Sequence, residues 1–344
     1  MRRWFDAHLD LACLAVNGRN MTRGLSDCGG PWQPASLTFP SMADGGVAAC
    51  LGTIFTELDG KDAEGYPVGD AQAAHAAGVR QLEQYQSWQR AGLFRPLPRR
   101  GHAFASALGA AAPSNLGLGI LMECADPIRE PAELDWWADR GVIAIGLAWA
   151  RGSRYAAGNS EPSCSSTAGL TAIGRDLVRA MDRLGLVHDA SHLSDRALAD
   201  LLALTDKPVI ASHSNSRALL DGKSQRHLTD DAIREIGRRG GVIGLNLVKN
   251  FIRTGLKRDD PNDRPSVDEA VAHVERICEL MGHRRGVGLG SDLDGGISAH
   301  DLPAGIDAPR DFEKLAEALS RRGWGEEGVN AFAWGNWARF WGGG

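Results

Sequence analysis

Three histidines and three acids stand where short apolar runs end: His8, Asp10, Glu123, His192, His213 and Asp292. The plainest case is two consecutive segments, residues 186–192 (LVHDASH) and 208–213 (PVIASH). Each has strand character and ends in a histidine. A helix-like segment, 194–204, lies between them. Two parallel strands joined by a helix would bring His192 and His213 to neighbouring C-terminal strand ends, facing the same space. Neutral imidazole is the commonest metal-binding side chain at physiological pH. At the start of the chain, residues 3–10 read as a strand closing in His8-x-Asp10. Positions two apart on a strand share a face, so both groups can reach one metal. Glu123 follows an apolar run from 115, where an acid is costly to bury unless it is paired or metal-bound. Asp292 follows the run 286–290.

Taken singly, each residue has an ordinary structural reading: a satisfied histidine near a strand edge, a turn acid, an exposed strand-end glutamate. Together they form a donor set. Carboxylates gathered at one place repel each other without a cation. Two zinc ions answer that, since imidazole nitrogen and carboxylate oxygen both suit zinc. His8 and Asp10 would hold one ion, His192 and His213 the other, with Glu123 as the bridge. Lys249, carbamylated, is the competing bridge, but it follows the seventh strand, far from the third. Water between two zinc ions loses a proton near neutral pH, at a pKa of roughly 7. The hydroxide would attack an electrophilic carbonyl, and Asp292 would pass the proton to the leaving amine. Asp294 fits a turn or cap acid better than Asp292 does.

Eight apolar runs can position these groups: 3–10, 46–55, 115–123, 141–149, 186–192, 208–213, 242–248 and 286–290. Most are followed by a helical pattern. These cover 71–91, with Val79, Leu82 and Trp88 facing the core, 131–140, and 169–184 with Thr171 as N-cap. Further helices cover 194–204, 229–239 ended by Gly240-Gly241, 266–281, 311–321 and 326–332. Long Gly/Ser-rich loops cover 17–40 and 151–168. Eight βα units close most naturally into a (β/α)8 TIM barrel, one α/β domain over 1–344. Such a barrel sends every strand end to one face, where barrel enzymes keep their chemistry. The alternative, a doubly wound sheet, lacks a G-x-G-x-x-G after the first strand.

Composition narrows the partners. The chain has 344 residues, 43% hydrophobic and 24% charged, with formal net charge −5. No basic stripe or aromatic-basic ladder favours nucleic acid. No run approaches the ~18 apolar residues of a membrane span, and the N-terminus lacks a signal-peptide core. The six cysteines (Cys13, Cys28, Cys50, Cys124, Cys164 and Cys278) are irregularly spaced and read as reduced thiols, so the expected compartment is the cytoplasm. Barrels often dimerise, which leaves a homodimer open, though no self-complementary patch can be read.

The chain resembles the membrane (renal-type) dipeptidases and their soluble bacterial relatives, a peptidase family of the metal-dependent amidohydrolase barrels. The likeness rests on Gly169-Leu-Thr-x-x-Gly174, Asp189-x-Ser-His192-x-Ser-Asp195, Ile210-Ala-Ser-His213-Ser, Arg226 with Leu-Thr-Asp-Asp231, and residues 240–246 (GGVIGLN). Gly288-x-Gly-Ser-Asp292-x-Asp-Gly295 and Gly335-Asn336 with Arg339 complete it. It implies a two-zinc site with His8, Asp10 and Glu123 at one metal and Glu123, His192 and His213 at the other. It implies a small dipeptide as substrate, L-Xaa-D-Xaa dipeptides included. It further implies that Arg226 binds the substrate carboxylate, a bidentate task suited to guanidinium, and that Asp292 is the acid/base. One departure stands out. Mammalian-type members carry a histidine after the fourth strand that contacts the reacting carbonyl; the matching stretch here presents Trp149. Indole donates one N–H but shuttles no proton near neutral pH, so altered substrate choice is expected, with His188 the nearby group that could compensate. Other readings stay open: another binuclear amidohydrolase (N-acyl amino acid hydrolase, lactonase or phosphotriesterase-like), or a silent binding protein.

Overall fold

Eight short parallel strands form the centre of the computed structural model, which describes residues 1–160, 168–257 and 260–344. They are β1 (Trp4–Leu9), β2 (Val47–Ile54), β3 (Gly117–Met122), β4 (Val142–Gly146), β5 (Val187–Asp189), β6 (Val209–Ile210), β7 (Ile243–Leu245) and β8 (Val287–Leu289). The sheet runs β7-β8-β1-β2-β3-β4-β5-β6. The remaining seam, between β6 and β7, carries the parallel bridge Ala211–Ile243 and bonds from Ala211 N to Val242 O (3.1 Å) and Gly244 N to Ala211 O (2.8 Å). The result is a nearly closed (β/α)8 barrel, as the eight apolar runs imply.

The interior is filled by small and branched side chains, among them Ala7, Ala49, Leu51, Leu121, Ile143 and Ile210. Its N-terminal end is plugged by a helix that the sequence reading did not anticipate, Asn336–Gly342. Trp337 stacks on Phe5 with centroids 6.0 Å apart and donates from Nε1 to Leu289 O at 2.9 Å. The surrounding helices bury one stripe each. In Ala172–Leu184 that stripe includes Leu177, Val178 and Met181. Thr171 caps this helix by accepting from Gly174 N at 3.0 Å, and Gly185, at φ 66°, ends it in the left-handed conformation glycine tolerates. Leu82 and Trp88 of Ala71–Arg90 are buried and Val79 is half-buried.

The strands are shorter than the apolar runs that announce them. His192, His213 and Asp292 each lie three residues past a strand end, on the turns that follow β5, β6 and β8. The polar connection after β2 contains a short strand pair, Glu57–Leu58 with Gly65–Tyr66. Of the expected loop 151–168, residues 161–167 lie outside the described residues. Among the described residues no helix is long and apolar enough to cross a membrane.

Candidate metal centre

β1 and β3 deliver the first three groups. His8 sits near the end of β1, Asp10 opens the next helix, and Glu123 follows β3. Glu123 occupies the middle. Its Oε2 lies 3.5 Å from His8 Nε2, and its Oε1 lies 3.2 Å from His192 Nε2 and 3.5 Å from His213 Nε2. His8 Nε2 is 3.8 Å from Asp10 Oδ1. Three overlapping groups of donor atoms result: His8, Asp10 and Glu123; Glu123, His192 and His213; His8, His213 and Asp292. All six residues are buried.

A cation fits this donor set. Among the described residues, His8 Nε2 is buried without a hydrogen-bond partner, an arrangement that is costly unless something binds there. Burial raises Glu123 to about 8, Asp292 to about 7 and Asp10 to about 6, with Glu123 adding repulsion at Asp10. Burial holds His192 and His213 well below the usual imidazole range, which keeps their lone pairs free for a metal. A bound cation reverses the penalty on the carboxylates.

A repeated device aims the ligands. Asp189, the last residue of β5, accepts from Ser212 N (2.8 Å), from Ser212 Oγ and from Ser191 N (3.0 Å). Ser212 Oγ in turn meets His8 Nδ1 (3.1 Å) and His213 Nδ1 (2.8 Å). Across the barrel, Asp6 of β1 accepts from Ser291 N (2.8 Å) and Ser291 Oγ. In both cases a strand aspartate grips the serine just before a site residue, His213 or Asp292. Orienting partners of this kind fix a ligand's tautomer and direction. Asn246 donates to Asp292 Oδ2 at 2.9 Å. Thr53 Oγ1 donates to Asp10 Oδ1. None of these has a role in the sequence-based expectations: Ser212 and Ser291 each precede a site residue, but their aspartate partners stand on neighbouring strands.

His192 and Asp292 adopt positive φ, 64° and 62°, a conformation that costs non-glycine residues about 1–3 kcal/mol and gathers at functional sites. Gly295 is needed beside them: a Cβ there would stand 2.0 Å from Asp292 Oδ1. Asp294, read as a turn acid, is instead fully buried in an ion pair with Arg19. It also accepts from Ser36 N (2.9 Å), Ser36 Oγ (2.7 Å) and Leu37 N (2.9 Å), pinning the loop 17–40 to the end of β8.

Arg226 is 5% exposed. It donates to His213 O at 2.8 Å and to Ser214 Oγ at 3.2 Å, and lies 4.9 Å over the Phe251 ring. Trp149 is half-buried, its ring 5.9 Å from His192 and 5.2 Å from Phe55. Lys249 pairs with Asp301 Oδ1 at 3.1 Å, away from Glu123. His188 turns outward to Asp182 Oδ1 at 2.8 Å, so it cannot replace the missing histidine.

The family model for membrane dipeptidase, peptidase family M19, matches residues 2–343. The chain belongs to the membrane dipeptidase family. It is a metal-dependent dipeptidase by that membership. An uncharacterized Klebsiella pneumoniae protein from the pqqA 5′ region is 33% identical over 213 residues, 61% of this chain and 75% of that protein. A solved M19 metallopeptidase, dipeptidase AC, superposes with TM-score 0.81 at 25% identity, over 99% of both chains. A Rhodobacter sphaeroides metallopeptidase solved with a phosphinate mimic of L-Ala-D-Ala gives 0.80 at 24% identity over 98% of both.

Proposed function

We propose that the chain is a zinc dipeptidase with two metal ions, one held by His8, Asp10 and Glu123 and the other by Glu123, His192 and His213. The observation that carries this is the position of Glu123, whose two oxygens reach His8 on one side and His192 and His213 on the other. Such a pair of ions supplies Lewis acidity toward the scissile carbonyl and lowers the pKa of water.

The protein's own groups do the rest. Asp292, raised to about 7 by burial, suits a group that takes a proton from the attacking water and returns it to the leaving amine. Asn246 holds one of its oxygens still. Arg226 receives the substrate carboxylate. Trp149 walls the cavity beside His192 and offers no proton. The five described cysteines are free and buried, which supports a reduced, cytoplasmic setting.

Metal analysis with a panel of L,L- and L,D-dipeptides tests the reading. About two zinc per chain with dipeptide turnover is expected, and Arg226→Ala should raise KM. Intact hydrolysis of carboxylate-free amides or esters, with no dipeptide cut, would favour another amidohydrolase activity.

A further inference from the structure

The cavity over the metal centre has a volume of about 310 Å3, and one wall of it has a chemistry of its own. It is lined there by Phe55, Glu57, Asp62 and Glu64 of the connection after β2, by Trp149 of the connection after β4, and by Trp32 of the loop after β1. The opposite wall carries Val248 and Phe251, with Arg226 packed on the Phe251 ring. In the sheet order, β2 and β6 stand four strands apart, which in an eight-stranded barrel is diametrically opposite. Arg226 follows β6, and the acidic segment follows β2.

Arg226 sets the direction of the substrate. Its guanidinium is buried, and among the described residues its Nε has no hydrogen-bond partner, so it can receive a substrate carboxylate. With the substrate carboxylate at Arg226 and the scissile carbonyl over the metals, the N-terminal residue must lie against the β2–β4 wall.

Among the described residues, that wall holds more negative than positive charge. Glu64 is 3% exposed, yet its polar contacts are neutral: Asn17 Nδ2 at 2.7 Å and Cys13 Sγ at 3.8 Å. Arg151, which acts on Glu57, is itself 3.7 Å from Asp59. No lysine or arginine is among the described residues lining the cavity. Metal ions would offset Asp10 and Glu123 but leave Glu57, Asp62 and Glu64. One of the three suffices for the α-ammonium group. The aromatic faces of Trp32, Phe55 and Trp149 add the other half of a cation site, since ring faces attract guanidinium and ammonium groups.

We propose that this wall is a pocket for a cationic side chain, and that the preferred dipeptides carry arginine, lysine or ornithine at the N-terminal position. The proposal rests on the dipeptidase reading and names its substrate class. Trp149 then has a purpose: it trades a carbonyl contact for a ring face in the pocket.

The test uses the zinc-loaded full chain and the matched dipeptides Arg-Ala, Lys-Ala, Leu-Ala and Glu-Ala, each with L- and D-alanine. The kcat/KM for Arg-Ala and Lys-Ala should exceed that for Leu-Ala by about tenfold or more, with Glu-Ala the poorest. In Glu57→Gln and Glu64→Gln the ratio of Arg-Ala to Leu-Ala should collapse toward one, mainly through KM. Asp62 is exposed, so Asp62→Asn gives the same readout if Glu64→Gln fails to fold. Equal loss on every dipeptide would mean that the acids serve only the α-ammonium group, and would overturn the proposal. So would a wild-type ratio near one. If no dipeptide is cut at all, the dipeptidase reading itself falls.

Discussion

Nε2 of His192 lies 2.9 Å from Nε2 of His213, and both nitrogens face Glu123 Oε1. Two neutral imidazoles can share that contact only by one donating to the other. A cation among the three groups satisfies all of them at once. Chelation should therefore abolish dipeptide hydrolysis and lower Tm, and added zinc should restore both. His192→Ala should reduce bound metal from about two ions per chain to about one, measured by elemental analysis. Two ions retained in that variant would contradict the assigned ligand set.

The carboxylates give the site a pH signature. Burial raises Asp10, Asp292 and Glu123 to about 6, 7 and 8, above their unfolded values near 4. Below about pH 6.5 the buried, neutral His192 and His213 act in the opposite sense, but above that range the folded, metal-free protein still holds protons on Asp292 and Glu123 that the unfolded chain has lost, so its stability falls as pH rises from 7 to 8.5. Metal-free protein should thus be more stable to urea at pH 7 than at pH 8.5. Metal binding displaces those protons. Titration calorimetry in buffers of different ionisation enthalpy should register proton release near neutral pH. A metal-free stability that rises over this range would refute the assignment.

Asp292 and Asn246 separate chemistry from positioning. Asp292→Asn keeps the shape and removes the base, so kcat should fall by roughly 10²–10⁴ with metal content kept. Asn246→Ala frees Asp292 Oδ2 without removing the carboxylate. A smaller loss in kcat is expected, with a shifted pH–rate profile. Equal losses in both variants, with unshifted profiles, would count against Asp292 as the proton carrier.

Much of this was legible in the chain because a barrel's period is written in its apolar runs. Eight runs gave eight strands, and the six site residues stand at or just past their ends. Strand lengths were not legible. In 186–192 and 208–213 the apolar pattern continues into turns, and only hydrogen bonding marks where β5 and β6 stop. The helix Asn336–Gly342 was missed because aromatic residues crowd it and short apolar pieces read ambiguously. Asp6, Asp189 and Ser212 were missed for another reason: an orienting role depends on a partner on the next strand, which no local spacing reveals.

Asp189 invites a direct measurement. Its carboxylate holds Ser212, which touches both His8 and His213. Asp189→Asn should weaken metal affinity by about 10–100-fold. Competition with a chelator reads the loss, and excess zinc should recover most of the activity. Unchanged affinity would reduce Asp189 to a packing role.

The Arg19–Asp294 pair joins the loop 17–40 to the turn that carries Asp292, and both side chains are fully buried. Arg19 also reaches the backbone carbonyls of Pro31 and Trp32, so the pair fixes Trp32 at the cavity. Removing one partner leaves the other charged and buried, at a cost of about 3–5 kcal/mol. Asp294→Asn and Arg19→Met should each lower Tm strongly. The double variant Arg19→Met with Asp294→Asn leaves no stranded charge, so it should recover part of the loss and give a large coupling term in a double-mutant cycle. Because Asp294 stands two residues from Asp292, Asp294→Asn should also lower kcat below the folding midpoint. Simple additivity of the two single variants would show that the loop is held by Ser36 and Leu37 rather than by the ion pair.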